Sequence, residues 1–357
     1  MTRGLVLGKF LPYHTGHAHL IRSARACVDE LVVLVCSIRR EPIPGATRYA
    51  WVRDAHPDCR VIHVAEEVPQ APEEDPEFWR IWTDLIARHA GRVDRVFTSE
   101  TYGDELAHRL GAVHTCVDPD RRVVPVSGTA IRAAPLRHWQ YIPANVRPFY
   151  AVRVALLGTE STGKTTLAQR LAERFDTAWV REYGREYCDT RPAMSLTLPD
   201  FEAIAWAQAT IEDDAAADAN RVLICDTELH TTATWSDLTI GTRPAWLTAA
   251  ARARRYDLVL LLEHDLPWVD DGTRVLRDRR PEHTQRIRDE LDAAGRRYIT
   301  LSGSYAERAR EAVGLVSALL QSHGVELGPS SGTPEKRPNA DDAEYAEERR
   351  FSLYRDG

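Results

Sequence analysis

The stretch Gly158-Thr159-Glu160-Ser161-Thr162-Gly163-Lys164-Thr165 matches the pattern G-x-x-x-x-G-K-[ST] at every fixed position. The apolar run 152–157 before it predicts a buried strand, and residues 167–175 after it predict an amphipathic helix. In that context, backbone N–H groups and the helix dipole bind the phosphates of a nucleotide. The stretch therefore predicts a nucleoside triphosphate site in an α/β domain.

Two side chains of this loop have a defined chemistry. Lys164 is expected to reach the β- and γ-phosphates of ATP, and the Thr165 hydroxyl is expected to ligate Mg²⁺. Asp226, which closes the apolar run 222–225, is the expected magnesium-associated carboxylate. The remaining residues expected around the ATP phosphates are Gly158, Glu160, Ser161, Thr162, Gly163 and Thr166.

The chain of 357 residues is longer than one core usually supports, because domains commonly have about 100–200 residues. The loop begins only at Gly158, so the residues before it need a fold of their own. We expect a first domain at 1–139, a linker at 140–151 and a second domain at 152–324. The rest, 325–357, is rich in Pro, Ser, Gly and charge, and this composition predicts a disordered tail.

Both halves alternate short apolar runs with helical patterns. In the first half the expected strands are 4–8, 31–36, 60–64, 93–98, 112–117 and 123–126, and the expected helices are 18–27, 48–55, 77–90 and 104–110. In the second half the expected strands are 152–157, 178–181, 222–226, 258–262 and 298–301. This alternation predicts two parallel sheets covered by helices on both faces, with ligands outside the carboxyl ends of the strands.

The first half carries a second phosphate-binding signature, H-x-G-H, directly after its first expected strand. His14 and His17 lie three residues apart where a helix is expected to begin, so their imidazoles can donate hydrogen bonds to phosphate oxygens. A metal site and a purely structural histidine pair are the alternatives.

A partner motif lies about 110 residues further along the chain. Ser127-Gly128-Thr129-Ala130-Ile131-Arg132 begins a helix, in which Ser127 alone is a good N-cap and Arg132 lies near an end that attracts anions. This motif is weak evidence by itself and strong evidence together with G-x-F-x-P-x-H-x-G-H, which begins at Gly8.

Together the two motifs resemble those of the nucleotidyltransferase superfamily that includes nicotinamide-mononucleotide and pantetheine-phosphate adenylyltransferases. The domain order, with stretches 181–186 and 268–272, resembles the bifunctional NadR-type family, an adenylyltransferase fused to a ribosylnicotinamide kinase. The resemblance covers about residues 3–322. It implies a Rossmann-like nucleotidyltransferase domain followed by a P-loop kinase domain. Some relatives have a helix-turn-helix before the first strand, and we expect none here.

The resemblance also implies roles in the first site. His14 and His17 would hold the α- and β-phosphates of ATP, while Lys9 and Arg132 would neutralise the pyrophosphate. Additional ATP contacts would come from Gly8, Phe10, Ser127 and Thr129. Either Trp79 or Trp82 could stack on a nicotinamide ring, and core packing is the alternative for each.

In the second site the resemblance implies transfer of the γ-phosphate of ATP to the 5′-hydroxyl of nicotinamide riboside. Either Glu182 or Asp226 would accept the hydroxyl proton, and the sequence does not decide between them. Residues expected around the riboside are Tyr183, Arg185, Trp268, Asp270 and Asp271. The segment 274–280, with Arg277, Arg279 and Arg280, resembles a lid whose guanidinium groups close over the triphosphate, and a solvated arginine-rich loop is the alternative.

Composition excludes several other classes of protein. Hydrophobic residues make up 43% and charged residues 28% of the chain, as in globular enzymes. The net charge of −7 argues against a nucleic-acid partner, and no apolar run approaches the roughly 20 residues of a membrane span. We expect no signal peptide, and six scattered cysteines without C-x-x-C favour the reducing cytoplasm. The expected partners are thus small molecules, namely ATP, nicotinamide riboside and nicotinamide mononucleotide, and a homo-oligomer is left open.

Two other functions fit the same motifs. The architecture could serve another substrate pair, such as a pantetheine- or flavin-type adenylyltransferase joined to a different small-molecule kinase. A nucleotide-sensing regulator without catalytic activity is the second alternative. It is less favoured because both sites keep their full set of chemical groups.

Overall fold

The computed structural model describes residues 1–189, 191, 195–270 and 274–327. Residues Met1–Val325 form one compact unit. Of the expected tail, residues 328–357 lie outside the described residues. Within the described part of the chain, no helix combines the length and the apolar character needed to cross a membrane.

The first half contains a five-stranded parallel sheet, in which the strand order is β3-β2-β1-β4-β5. The strands are β1 (Arg3–Gly8), β2 (Glu30–Cys36), β3 (Arg60–Val64), β4 (Arg95–Thr98) and β5 (Val113–Cys116). The helices are α1 (Thr15–Arg25), α2 (Gly45–Ala55), α3 (Phe78–Ala90), α4 (Tyr102–Leu110) and α5 (Gly128–Ala133). β1 is central and reads as an apolar run because both of its faces are covered. The strands β2 and β3 lie on one side of β1, and β4 and β5 lie on its other side. This change of side opens a crevice at the carboxyl end of β1.

The second half repeats this architecture with the order β10-β9-β6-β8-β7, again all parallel. Its strands are β6 (Val152–Leu157), β7 (Trp179–Val180), β8 (Val222–Asp226), β9 (Leu258–Leu262) and β10 (Ile299–Leu301). Between the halves lies α6 (Arg147–Tyr150), and the helices of the second half are α7 (Lys164–Phe175), α8 (Tyr183–Asp189), α9 (Leu198–Ala215), α10 (Leu229–Ile240), α11 (Ala245–Ala253), α12 (Arg280–Ala293) and α13 (Tyr305–Ser322). β6 and β8 are neighbours, so the loops that follow them meet at one edge of the sheet.

The expected linker is folded rather than extended. It contains part of a 3-10 turn, Trp139–Tyr141, and all of α6, and it buries Ile142 and Val146. Asn145 Nδ2 in this region donates to the Trp51 carbonyl at 2.9 Å. Just before it in the chain, the Leu136 carbonyl accepts a hydrogen bond from Arg221 Nε of the second half at 2.9 Å.

The predicted strand at 123–126 is wrong. Backbone N–H groups that a strand would offer to a neighbour are instead bound by the Asp118 carboxylate, which accepts from Arg122, Val123 and Val124 at 2.8–3.2 Å. Pro125 has no N–H to offer, and the Val123 side chain is 64% exposed. An aspartate-centred loop therefore leads into α5.

A buried carboxylate binds two arginines on one face of the second sheet. Glu212, on α9, lies 2.5 Å from Arg153 Nη1 and 3.2 Å from Arg254 Nη2, and it also accepts a hydrogen bond from the Tyr256 hydroxyl at 2.7 Å. Its side chain is 1% exposed, whereas the neighbouring Asp213, which contacts the same arginines, is 59% exposed. This contrast between two adjacent carboxylates allows a matched test.

Glu212→Ala is expected to destabilise the second half by about 3 kcal/mol, because two largely buried guanidinium groups lose their common counter-charge. Asp213→Ala, the matched control, should cost less than about 1 kcal/mol because its carboxylate is exposed to solvent. Urea denaturation followed by circular dichroism measures both free energies of unfolding. Equal costs for the two variants would contradict the structural role of Glu212.

Candidate active sites

The H-x-G-H loop brings its two histidines into contact at the start of α1. His14 is the N-cap residue, and its Nδ1 accepts the Gly16 N–H at 3.1 Å. The ring centroids of His14 and His17 are 3.8 Å apart. Because Nδ1 of His14 is an acceptor, the proton of the neutral ring lies on Nε2, which is left as a donor.

Both imidazoles are neutral near pH 7. Burial, followed by the charge of Arg121, lowers the pKa of His14 to about 4. Burial also holds the pKa of His17 well below its ordinary value, with further lowering from His14 and Arg121. The pair therefore offers neutral hydrogen-bond donors rather than cations. In the described part of the chain no third Cys, Asp, Glu or His stands with the pair as a metal ligand.

The second motif meets this loop across about 110 residues of sequence. A Cβ atom on Gly128 would lie 2.6 Å from the Leu11 carbonyl oxygen, so only glycine permits this approach. Arg132 donates from Nη1 to the same Leu11 carbonyl and from Nη2 to Thr129 Oγ1 at 3.1 Å. Ser127 caps α5 by accepting the Ala130 N–H at 3.1 Å.

One open pocket is lined by both motifs, and it contains most of the predicted ATP contacts. The predicted residues that line it are Lys9, Phe10, His14, His17, Ser127, Thr129 and Arg132. Sequence reasoning missed His19, Glu100, Asp118 and Arg121, which also line it. Arg121 donates to Glu100 Oε1 at 3.1 Å and to the Val126 carbonyl at 3.3 Å. The position of Arg121 depends on the loop that Asp118 organises, and because no sequence pattern predicts that loop, Arg121 was missed.

An adjoining apolar pocket shares Lys9 with the pocket of the H-x-G-H loop, and the predicted Gly8 lines this second pocket. Trp79, Trp82 and Tyr102 line it. Trp82 Nε1 donates to the Pro69 carbonyl at 2.9 Å, and both tryptophans also pack against the core of the first sheet. Core packing is therefore confirmed for both tryptophans, each of which also faces a pocket, and stacking of either on a nicotinamide ring stays a prediction.

The second site is built on the loop after β6. Lys164 is buried, and its Nζ donates to the carbonyls of Gly158 at 2.9 Å and Thr159 at 3.0 Å. Gly163 has φ 85°, and a Cβ atom there would lie 2.6 Å from the Tyr305 ring. The loop is thus held in a shape that a side chain at Gly163 would prevent.

Asp226 faces the first turn of α7 from the end of β8. Its Oδ2 accepts a hydrogen bond from Thr165 Oγ1 at 2.6 Å. Its Oδ1 is buried without a hydrogen-bond partner among the residues that the structure describes. Burial, then the charge of Glu182, raises the pKa of Asp226 to about 6. A buried carboxylate beside a threonine hydroxyl, with one oxygen free, fits the oxygen ligands that Mg²⁺ prefers.

A pocket extends from this loop toward α8, α9 and α10. Glu182 and Arg185, both predicted, line it together with Gly158, Glu160 and Lys164. Sequence reasoning missed Cys188, Gln208, Thr231, Thr232, Trp235 and His283, which also line it, as does Arg274, the first residue of the predicted lid segment 274–280. Gln208 fixes one corner because its side chain accepts the Tyr183 N–H at 2.8 Å and donates to the Arg181 carbonyl at 3.2 Å.

Several predicted residues lie elsewhere. Trp268 is half-buried beside Arg280, at 5.9 Å from guanidinium to ring, and Asp270 is exposed; neither lines the pocket. Arg280 is buried, and it donates to the carbonyls of Leu266 and Ser161 rather than facing the pocket. Arg277 and Thr166 are exposed, and Tyr183 packs with an apolar cluster that includes Trp235. Asp271 lies outside the described residues.

Comparison with known proteins agrees with this two-site architecture. Residues 5–134 match the Cytidylyltransferase-like family and residues 153–308 match the AAA domain family. The chain is 34% identical over 297 residues to the Escherichia coli (strain K12) trifunctional NAD biosynthesis/regulator protein NadR, covering 77% of this chain and 72% of that protein.

Two crystal structures share the fold over 92% of this chain and 98% of theirs, at 22% identity. One is of NadR protein in complex with NR, with a TM-score of 0.75, and the other is of NadR protein in complex with NAD and AMP-PNP, with a TM-score of 0.74. Since the fold matches over both halves, and the identity to the bacterial relative holds over most of that protein's length, the chain belongs to the NadR family of NAD biosynthesis proteins.

Proposed function

We propose that this chain makes NAD in two steps at two separate sites. The second half phosphorylates nicotinamide riboside to nicotinamide mononucleotide with ATP, and the first half transfers the adenylyl group of ATP to that mononucleotide, releasing pyrophosphate. The observation that carries the proposal is the presence of two independent phosphate-binding loops, each at the carboxyl end of a central parallel strand. Family membership and the NR, NAD and AMP-PNP complexes of NadR proteins support the substrates.

In the first half, the mononucleotide phosphate attacks the α-phosphorus of ATP, and the bond to pyrophosphate breaks. The donors for the charge that develops are neutral His14 and His17, and the cations are Lys9 and Arg132. Such positioned donors supply most of the catalysis in phosphoryl chemistry. The Trp79–Trp82 pocket adjoins this site through Lys9 and offers ring surfaces for the nicotinamide.

In the second half, the 5′-hydroxyl of the riboside attacks the γ-phosphorus of ATP, and ADP leaves. Glu182 is the better proton acceptor because its side chain lines the pocket. Asp226 does not line the pocket: it is fully buried and accepts a hydrogen bond from Thr165. Trp235 lines the same pocket and offers a ring face to the nicotinamide.

Thr165 and Asp226 are the residues that would hold Mg²⁺, which when bound supplies positive charge to the phosphates of ATP. The unpartnered Oδ1 of Asp226 and the acidic pair that Asp226 forms with Glu182 support this assignment.

Lys164→Ala is expected to abolish riboside phosphorylation and to leave NAD formation from supplied mononucleotide within about twofold of the wild type. The reason is that Lys164 belongs to a phosphate site with no residue in common with the first. Mass spectrometry of mononucleotide and NAD over time, with ATP and Mg²⁺ present, measures both steps. Loss of both activities in a variant with a wild-type circular dichroism spectrum would contradict two independent sites.

His17→Ala should give the converse result. Adenylyl transfer is expected to fall by about 10²-fold or more, since one donor aimed at the transition-state charge is removed. Mononucleotide would then accumulate from riboside and ATP without conversion to NAD. Stoichiometric zinc in the wild-type protein, found by elemental analysis and lost in this variant, would instead support the metal alternative for the histidine pair.

The two activities are expected to differ in their pH dependence. The pKa of Asp226 is raised to about 6, so the ionised form that Mg²⁺ needs is complete well above pH 6 and is lost as the pH falls through that value. Riboside phosphorylation at subsaturating Mg²⁺ should therefore fall about tenfold per pH unit below 6. Adenylyl transfer should show no such loss between pH 6 and about 5 from His14 and His17, which stay mostly neutral there because their pKa values are lowered. Initial rates at several Mg²⁺ concentrations test this, and a kinase rate independent of pH down to 5 would contradict it.

A further inference from the structure

A histidine, an aspartate and a cysteine lie together in the turn between α2 and β3. One candidate ligand atom from each of His56, Asp58 and Cys59 lies within 4.8 Å of the other two. Among the residues that the structure describes, they are the one group of three or more such side chains with this spacing. None of the three lines either candidate active site, so the chemistry proposed above does not use them.

The backbone of this turn brings the three side chains together. His56 follows the last residue of α2, and the Cys59 N–H donates to the His56 carbonyl at 3.1 Å just before β3 begins. The His-x-x-Cys spacing equals the Cys-x-x-Cys spacing of many zinc sites. Cys59 Sγ lies 3.8 Å from Asp58 Oδ1. Tetrahedral zinc, with bonds of about 2.0–2.3 Å, keeps its ligand atoms about 3.3–3.8 Å apart. The turn thus already holds the sulfur and one oxygen at a suitable separation.

A hydrogen bond from outside the turn fixes the orientation of the His56 ring. The side chain is buried, and its Nε2 lies 2.8 Å from the Tyr13 hydroxyl. When Nε2 carries the proton and donates it to Tyr13, Nδ1 keeps the lone pair that a metal ion needs. Metal-binding histidines commonly donate their other ring N–H to a partner in this way. Tyr13 therefore prepares His56 as a ligand.

The charges around the turn suit a divalent cation. A thiolate and a carboxylate supply two negative charges, which balance Zn²⁺, and the imidazole completes a set of ligand types that zinc accepts. Arg25 Nε lies 3.3 Å from Asp58 Oδ2, which leaves Oδ1 for the metal. The Asp58 side chain is 60% exposed, so water can reach a fourth position.

We propose that His56, Asp58 and Cys59 bind one Zn²⁺ ion, with water as the fourth ligand, at a site separate from both active sites. The ion ties the end of α2 to the beginning of β3. It also reaches the H-x-G-H loop, because Tyr13 bonds to His56 and its ring stacks on that of His17 at 6.3 Å between centroids. The site thus stabilises the first half next to its phosphate-binding histidines.

Titration of the full-length chain with Co²⁺, a spectroscopic substitute for Zn²⁺, tests the proposal. The protein is first freed of metal with a chelator, kept reduced and supplied with excess Mg²⁺, which occupies sites made of oxygen ligands. We expect one Co²⁺ per chain and a near-ultraviolet charge-transfer band from thiolate to cobalt. Zn²⁺ should abolish the band by displacing Co²⁺, and it should raise the midpoint of thermal unfolding because it binds the folded chain.

Single variants identify the ligands. Cys59→Ser should abolish the band and weaken Zn²⁺ binding by about 10²-fold or more, since even a residue that only hydrogen-bonds to a metal ligand contributes about 10–100-fold. Asp58→Asn should weaken binding and keep the band, and Tyr13→Phe should weaken binding by about tenfold. Cys27→Ser is the matched control, because Cys27 is an exposed cysteine of the same half. NAD formation from supplied mononucleotide reports that the Cys59, Asp58 and Cys27 variants are folded.

Three outcomes would overturn the zinc site: no charge-transfer band in the wild type, a band that persists in Cys59→Ser, or an equal loss in Cys27→Ser. Binding that is lost in His17→Ala and kept in Cys59→Ser would place the ion at the histidine pair instead. An unchanged Zn²⁺ affinity in Tyr13→Phe would overturn the link to the H-x-G-H loop.

Discussion

A fully buried arginine supports the loop after the central strand in each half of the protein. Arg48 donates to the carbonyls of Lys9, Cys36 and Ile43 and pairs with the Glu41 carboxylate at 2.5 Å. Arg308 donates to the carbonyls of Thr162, Glu263 and Gly303 and pairs with Asp265. Without these guanidinium groups the buried carbonyls of Cys36, Ile43 and Thr162 would lose a hydrogen bond, at a cost of about 1–3 kcal/mol each. The shape of both phosphate loops depends on this support.

The two sites use different electrostatics on the same scaffold. The first presents neutral imidazoles, whose pKa values burial holds low, and its charges come from Lys9, Arg121 and Arg132 around the rim. The second places Lys164 beside two carboxylates, and burial and mutual repulsion raise the pKa of Asp226. A neutral donor stabilises charge without repelling the cations near it, whereas an acidic pair binds a divalent cation. The neutral donors of the first site suit adenylyl transfer, and the acidic pair of the second site suits phosphorylation of a hydroxyl group.

The sequence was sufficient for what depends on local pattern. Parallel strands, both loops and the meeting of His14 with Arg132 follow from apolar runs and from motifs that report backbone geometry. It was not sufficient where a long polar side chain makes tertiary contacts. Burial of Arg48 and Arg308 runs against the usual exposure of arginine. The backbone N–H groups of an expected strand are bound by the Asp118 carboxylate. In the predicted lid segment 274–280, Arg274 lines the pocket, whereas Arg277 and Arg280 do not. Each outcome depends on a contact with residues distant in sequence or on a loop without a signature.

The Asp226–Glu182 pair also explains how one carboxylate can accept a proton while its neighbour does not. Burial and the negative charge of Glu182 raise the pKa of Asp226 to about 6, so in the free protein Asp226 is mostly ionised near neutral pH and accepts a hydrogen bond from Thr165. A cation bound by Thr165 and Asp226 would compensate the charge of Asp226 and leave Glu182, which faces the pocket, as the group able to take the hydroxyl proton. The metal and the base would thus be coupled, since a cation held by Thr165 and Asp226 would neutralise the Asp226 carboxylate as well as supplying positive charge to the phosphates of ATP.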